Sequence, residues 1–177
     1  MKSVTIEQIL SWKKCAGYTD DVVRFLFAGR KYLTWDEIFN LEIPYFDRIW
    51  CILSDVFFEP IEQRLIACDF AMRLIPFWEQ WANPGNIDLP RKLIISIRNH
   101  PDNSDSWSNA SNKVFDYIKY MNTPTIPHLA ITTSLCCASF NPAYKAAYSA
   151  AKYDDITGGG NTEKEWQMKR IKEALEG

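Results

Sequence analysis

Apolar residues along the chain recur mostly at helical spacing. Phe46, Ile49, Trp50 and Leu53 fall at i, i+3, i+4 and i+7, so residues 45–53 after Pro44 are expected to form a helix burying one stripe. Ile61, Leu65, Cys68, Met72 and Ile75 line one side of a longer helix over 60–81, with Pro60 in its first turn. Pro76 removes a backbone donor inside it, so a kink or break is expected between Met72 and Pro76.

Capping residues mark further starts. Thr5 opens a helix over 6–14; Thr19, followed by Asp20 and Asp21, opens one reaching about 29; and Thr34 opens 35–39. Asn83-Pro84-Gly85-Asn86 reads as a turn, after which Asp88 caps a helix carrying Pro90 in its first turn. His100-Pro101-Asp102-Asn103-Ser104 closes it, and helices follow at about 105–121, 127–140, 142–154 and 162–176. Runs of alternating apolar and polar residues bounded by Asn-Gly or Asp-Gly are missing. The chain therefore reads as all-α, a single compact bundle of roughly eight to ten helices over residues 1–177. Ala143, Ala146, Ala147, Ser149, Ala150 and Ala151 leave one helix so slim that neighbouring backbones can approach it, which suits an interior position. Gly158-Gly159-Gly160 then lets the last helix fold back onto the bundle.

With 177 residues, 47% of them hydrophobic, the chain is long enough for one well-buried core. Its 20 basic and 22 acidic residues leave a net charge of −2, with no basic stripe for a phosphate backbone, so nucleic acid is not expected as a ligand. Glu7 interrupts what would have to be the apolar core of an export signal. Five cysteines, Cys15, Cys51, Cys68, Cys136 and Cys137, make an odd set without paired spacing, read as reduced thiols in a cytoplasm. The uncharged run 122–144 is broken by Pro124, Pro127, Pro142 and the polar Thr132-Thr133-Ser134, so it is read as a buried helix and no membrane partner is expected.

Candidate chemistry is sparse. His100 and His128 lack metal-ligand spacing, so no metal is expected. The triglycine resembles a phosphate cradle, but Thr162 and Glu165 stand at capping-box spacing and Glu163 adds a second acid, so no cofactor is expected there. His128 with Cys136 or Cys137 would be the nucleophilic pair of a small hydrolase or transferase, yet eight residues of helix separate His128 from Cys136 by about 12 Å. Asp69 and Arg73 stand four apart and can pair across one turn; with Asp47, Arg48, Asp88 and Arg91 they are read as a structural polar network tying helices in register.

Charge patterning points to binding. Between residues 36 and 62, seven acids (Asp36, Glu37, Glu42, Asp47, Asp55, Glu59, Glu62) face Arg48 alone, a local charge of −6 that could steer a basic partner. An ordinary solvated face is the competing reading. Trp78 and Trp81, at a helix end beside a turn, are candidate interface anchors against a core reading, and Trp166 lies across its helix from Met168, Ile171 and Leu175.

Three stretches carry a family resemblance: IPYFDRIWCIL at 43–53, RLIACDFAMRLIPFWE at 64–79 and DLPRKLI at 88–94. Together with the small-residue helix at 143–151 and Glu165-Trp166-Gln167 followed by Leu175, they resemble the immunity proteins of bacterial polymorphic-toxin systems, specifically the immunity-protein-5-like helical domain. The resemblance covers about residues 40–176; the first 35 match it only loosely. Leu89 stands where the family tends to carry an arginine, and 104–121 is less alanine-rich. The resemblance implies a non-enzymatic cytoplasmic protein that blocks a cognate toxin by stoichiometric association, and it carries over no toxin-contacting residue. A helical scaffold or phage-associated accessory protein is the alternative, and the Cys/His enzyme the second.

Overall fold

The computed structural model describes residues 2–12, 18–119, 125–139, 142–158 and 161–177. Among them are ten helices and one two-stranded sheet, so the chain is all-α in class. Contacts divide it into two compact units, Met1–Glu59 and Pro60–Gly177.

Unit 1 is built on a strand–threonine–helix motif used twice. Strand β1 (Ser3–Thr5) pairs antiparallel with β2 (Tyr32–Thr34), placing Val4 opposite Leu33, both buried. Each strand ends on a threonine that caps the next helix. Thr5 caps α1 (Ile6–Ser11), where Gln8 N–H donates to Thr5 Oγ1 at 3.2 Å and Gln8 Oε1 accepts from Thr5 N–H at 2.8 Å. Thr34 and Glu37 repeat this reciprocal box on α3 (Trp35–Phe39). Between them α2 (Asp20–Phe27) is capped by Thr19 and stops where Ala28 and Gly29 turn left-handed, at φ 49° and 80°. Helix α4 (Tyr45–Ile52) follows Pro44 without a side-chain cap. The strands escape the sequence pattern because three residues are too few to show alternation.

Unit 2 surrounds one long helix. Helix α5 (Pro60–Glu79) packs against α6 (Leu89–Asn99), α8 (Thr125–Cys136), α9 (Pro142–Thr157) and α10 (Thr162–Glu176), while α7 (Ser104–Lys119) packs on α6 and α8. Its buried side chains, including Ile66, Phe70, Leu74, Ile75 and Trp78, cover about 200° of its circumference. The expected stripe is thereby corrected: Ile61 and Leu65 are exposed, because a helix apolar nearly all round does not reveal its phase. Of the kink or break expected there, the break does not occur: α5 runs through Pro76 to Glu79.

Helix α9 matches the small-residue expectation: Ala143, Ala146, Ala147, Ser149, Ala150 and Ala151 are all buried. Thr133 Oγ1 donates to Ser149 Oγ at 3.0 Å, tying α8 to α9. Gln167 Nε2 reaches the Ala147 carbonyl at 3.2 Å, so a side chain of α10 touches the backbone of α9 directly. The start of α10 differs from the Thr162–Glu165 box read in the sequence. Asn161 precedes it without a side-chain cap bond, and Asp154 from α9 accepts from the Glu163 N–H at 2.8 Å and the Lys164 N–H at 3.3 Å. Asp88 likewise makes no side-chain cap bond at the start of α6, where Pro90 occupies the first turn.

Candidate functional site

The acidic stretch divides by role. Glu37 is engaged: its carboxylate accepts from Thr34 N–H at 2.8 Å and Thr34 Oγ1 at 3.0 Å, and meets Arg30 Nη1 at 3.0 Å. The Thr34 backbone bond holds its carboxyl below the ordinary glutamate value; desolvation opposes it, and the Thr34 hydroxyl and Arg30 add smaller contributions in the same direction as the backbone bond. Asp47 is half-buried and accepts from Tyr18 OH at 2.6 Å. Its neighbour Arg48 donates to the Phe39 carbonyl at 2.9 Å and thereby closes α3, while its Nε is buried with no hydrogen-bond partner. Of the acids in this stretch, Asp36, Glu42, Asp55 and Glu59 are exposed on unit 1, which also exposes Glu7, Asp20 and Asp21, and Glu62 is exposed in unit 2.

The tryptophans separate sharply. Trp78 is 1% exposed, donates Nε1–H to the Ile87 carbonyl at 2.9 Å and meets Tyr117 edge-on at 5.6 Å. It is a core residue, and its reading as an interface anchor is corrected. Trp81, one turn on, is 61% exposed. Trp166 is half-buried between the Phe70 ring at 6.0 Å and the Arg73 guanidinium at 4.6 Å. Sequence reasoning passed over Phe25, which is 82% exposed on α2. A signal existed: at 100° per residue Phe25 stands about 200° from Val23 and from Phe27, the two buried positions of that helix.

The polar network exists with different partners. Asp69 does not pair with Arg73; it accepts Arg98 from α6 and Arg170 from α10, the latter at 2.7 Å. Arg73 instead reaches Glu163 on α10 at 2.6 Å. Glu163 is 3% exposed and also accepts from Gln167 Nε2 at 3.0 Å. Burial raises its carboxyl above the ordinary value, outweighing Gln167 and Arg73, whose guanidinium is partly in water and screened. Arg91 pairs with Glu79, and Asp88 pairs with Lys92 at 3.6 Å.

His128, half-buried, and Cys136 border one groove between α8 and α9, two helical turns apart. Burial raises the Cys136 thiol, with Lys145 opposing it in part; Cys137 is fully buried and its thiol is raised further. Cys51 is pushed up to about 12 by burial. These thiols stay protonated near neutrality, which deprives them of nucleophilic character. Cys15 lies outside the described residues. Among the described residues no three His, Cys, Asp or Glu side chains cluster as metal ligands, and no helix is long and apolar enough to cross a membrane.

Comparison with known proteins returns nothing similar to this chain, whether among family models, curated proteins or solved structures.

Proposed function

We propose that this protein is an immunity-type binding protein, acting in the cytoplasm, that neutralises a cognate bacterial toxin by stoichiometric association. The observation that carries the reading is the contrast between engaged and exposed charge. Glu37, Asp47, Asp69, Asp154 and Glu163 are committed to caps and helix ties, whereas Asp36 and Glu42 of unit 1 face water; Asp55 and Glu59 add exposed negative charge to the same unit. Exposed carboxylates of one sign accelerate encounter with a basic protein, and Phe25 on the same unit supplies an apolar anchor. Neutralisation then follows from covering the toxin's cleft or substrate surface.

Co-expression with the product of the adjoining gene tests this. Rescue from toxicity together with a 1:1 complex is expected; normal growth with either gene alone, and no complex, would instead favour a scaffold or accessory role. Replacing Asp36, Glu42, Asp55 and Glu59 together by Lys should slow association about tenfold at low salt and flatten its salt dependence. An unchanged on-rate would remove these four residues from the interface.

A further inference from the structure

The groove between α8 and α9 is open to solvent and has a volume of about 450 Å³. Its α8 wall presents His128, Thr132 and Cys136 at i, i+4 and i+8; its α9 wall presents Lys145, Tyr148 and Lys152 at i, i+3 and i+7. A short connection joins the two helices, so they pack antiparallel, and the Thr133–Ser149 hydrogen bond sets their register. Lys145 therefore stands at the Cys136 end and Lys152 at the His128 end, separated by about 10.5 Å of helix rise.

The charge at this groove is all of one sign. No Asp or Glu borders it. All 22 acids of the chain lie within the described residues, and none forms an ion pair with Lys145 or Lys152. By contrast Lys92, Lys119, Lys164, Lys169 and Lys172 of the same unit each meet a carboxylate. Lys152 Nζ rests 4.7 Å over the Tyr148 ring, which keeps the ammonium at the groove.

We propose that this groove binds an extended acidic peptide segment, with two carboxylates three residues apart seated at its Lys145 and Lys152 ends. In a polyproline-II-like extended chain three residues make one turn of about 9 Å and bring both carboxylates to the same side, close to the separation of the two cationic ends. The His128 imidazole and the Cys136 thiol add a hydrogen-bonding group at each end, and the Tyr148 ring lies between them beneath the intervening residues. The sign of this site is opposite to that of the exposed acids of unit 1, and it does not depend on the immunity reading.

Fluorescence anisotropy of a short dye-labelled peptide with two aspartates three residues apart, at low ionic strength, tests it. The peptide should bind, and the same peptide with both aspartates replaced by asparagine should not. Lys145→Ala with Lys152→Ala should weaken binding about tenfold, whereas Lys169→Ala with Lys172→Ala, on exposed positions of α10, should leave it unchanged. All four lysines are exposed, so both variants should keep the wild-type far-UV circular dichroism. Equal binding of the asparagine peptide, no loss in the Lys145/Lys152 variant, or equal loss in the α10 control would overturn the proposal. So would displacement by inorganic phosphate at the peptide's own concentration, which marks a single-anion site, or tighter binding of a single-stranded oligonucleotide.

Discussion

Units 1 and 2 satisfy their helix starts in different ways. In unit 1 the helices are five to eight residues long, and three of the four begin on a threonine whose hydroxyl bonds a backbone N–H three residues ahead. In unit 2 the helices run from 11 to 20 residues, and their polar ties join one helix to another: Arg73 to Glu163, Arg98 and Arg170 to Asp69, and Asp154 to the start of α10 nine residues on. A short helix cannot outlast the cost of nucleation without a local cap, whereas a long one draws its stability from packing and can leave its ends to a distant side chain. The same task, satisfying a helix start, is solved by Thr34 from within its own sequence and by Asp154 from another helix.

The largest effect that would sharpen this contrast lies in the core of unit 2. Trp78→Ala should cost about 3–5 kcal/mol in urea unfolding, since it empties a buried site and strands the Ile87 carbonyl. Phe25→Ala, at an 82% exposed position, should fall within about 0.5 kcal/mol of wild type. A comparable loss at Phe25 would mean that this ring is covered in the folded protein. Next is Asp154→Ala, expected to cost about 2 kcal/mol because one buried carboxylate serves two backbone donors. Amide exchange should quicken at Glu163 and Lys164 before the rest of α10; uniform exchange would deny it a capping role. Thr34→Ala should cost about 1 kcal/mol, the ordinary value of a local cap.

The smallest effect is a difference in sign with pH. Glu37 has a lowered carboxyl, so its contribution is present above the ordinary glutamate value of 4.5 and is lost as pH falls through the lowered folded value. Glu163 has a raised carboxyl, so its contribution is full below 4.5 and is lost as pH rises through the raised folded value. Glu37→Gln should therefore flatten the acid limb of the stability profile, and Glu163→Gln should remove a decline on its rising side. If both variants altered the same limb, the local cap and the buried tie would not differ as described.

Much of unit 1 was legible because its signals are local. Thr5, Thr19 and Thr34 announce their helices from the residues beside them, and Glu37 stands at the spacing a reciprocal box requires. The candidate site was legible only in composition. An excess of acids between 36 and 62 is visible as a string, but which of them are engaged is not: Glu37 and Asp47 look like Asp36 and Glu42 until Thr34 and Tyr18 are placed beside them. Trp78 and Trp81 are equally alike as letters, three positions apart on one chain, and the Ile87 carbonyl and the Tyr117 ring distinguish them.

What the sequence by itself determined was helix placement and class, because capping and 3.6-residue periodicity act within a few residues. What only the tertiary structure decided was partnership. Asp69 stands one turn from Arg73, yet helices α6 and α10 bring Arg98 and Arg170 to it and Glu163 to Arg73. The groove that sets His128 and Cys136 across from Lys152 and Lys145 arises the same way. An ion pair or a cleft needs only proximity in space, and proximity between distant segments is set by which faces of the helices pack, information that no local run of residues contains.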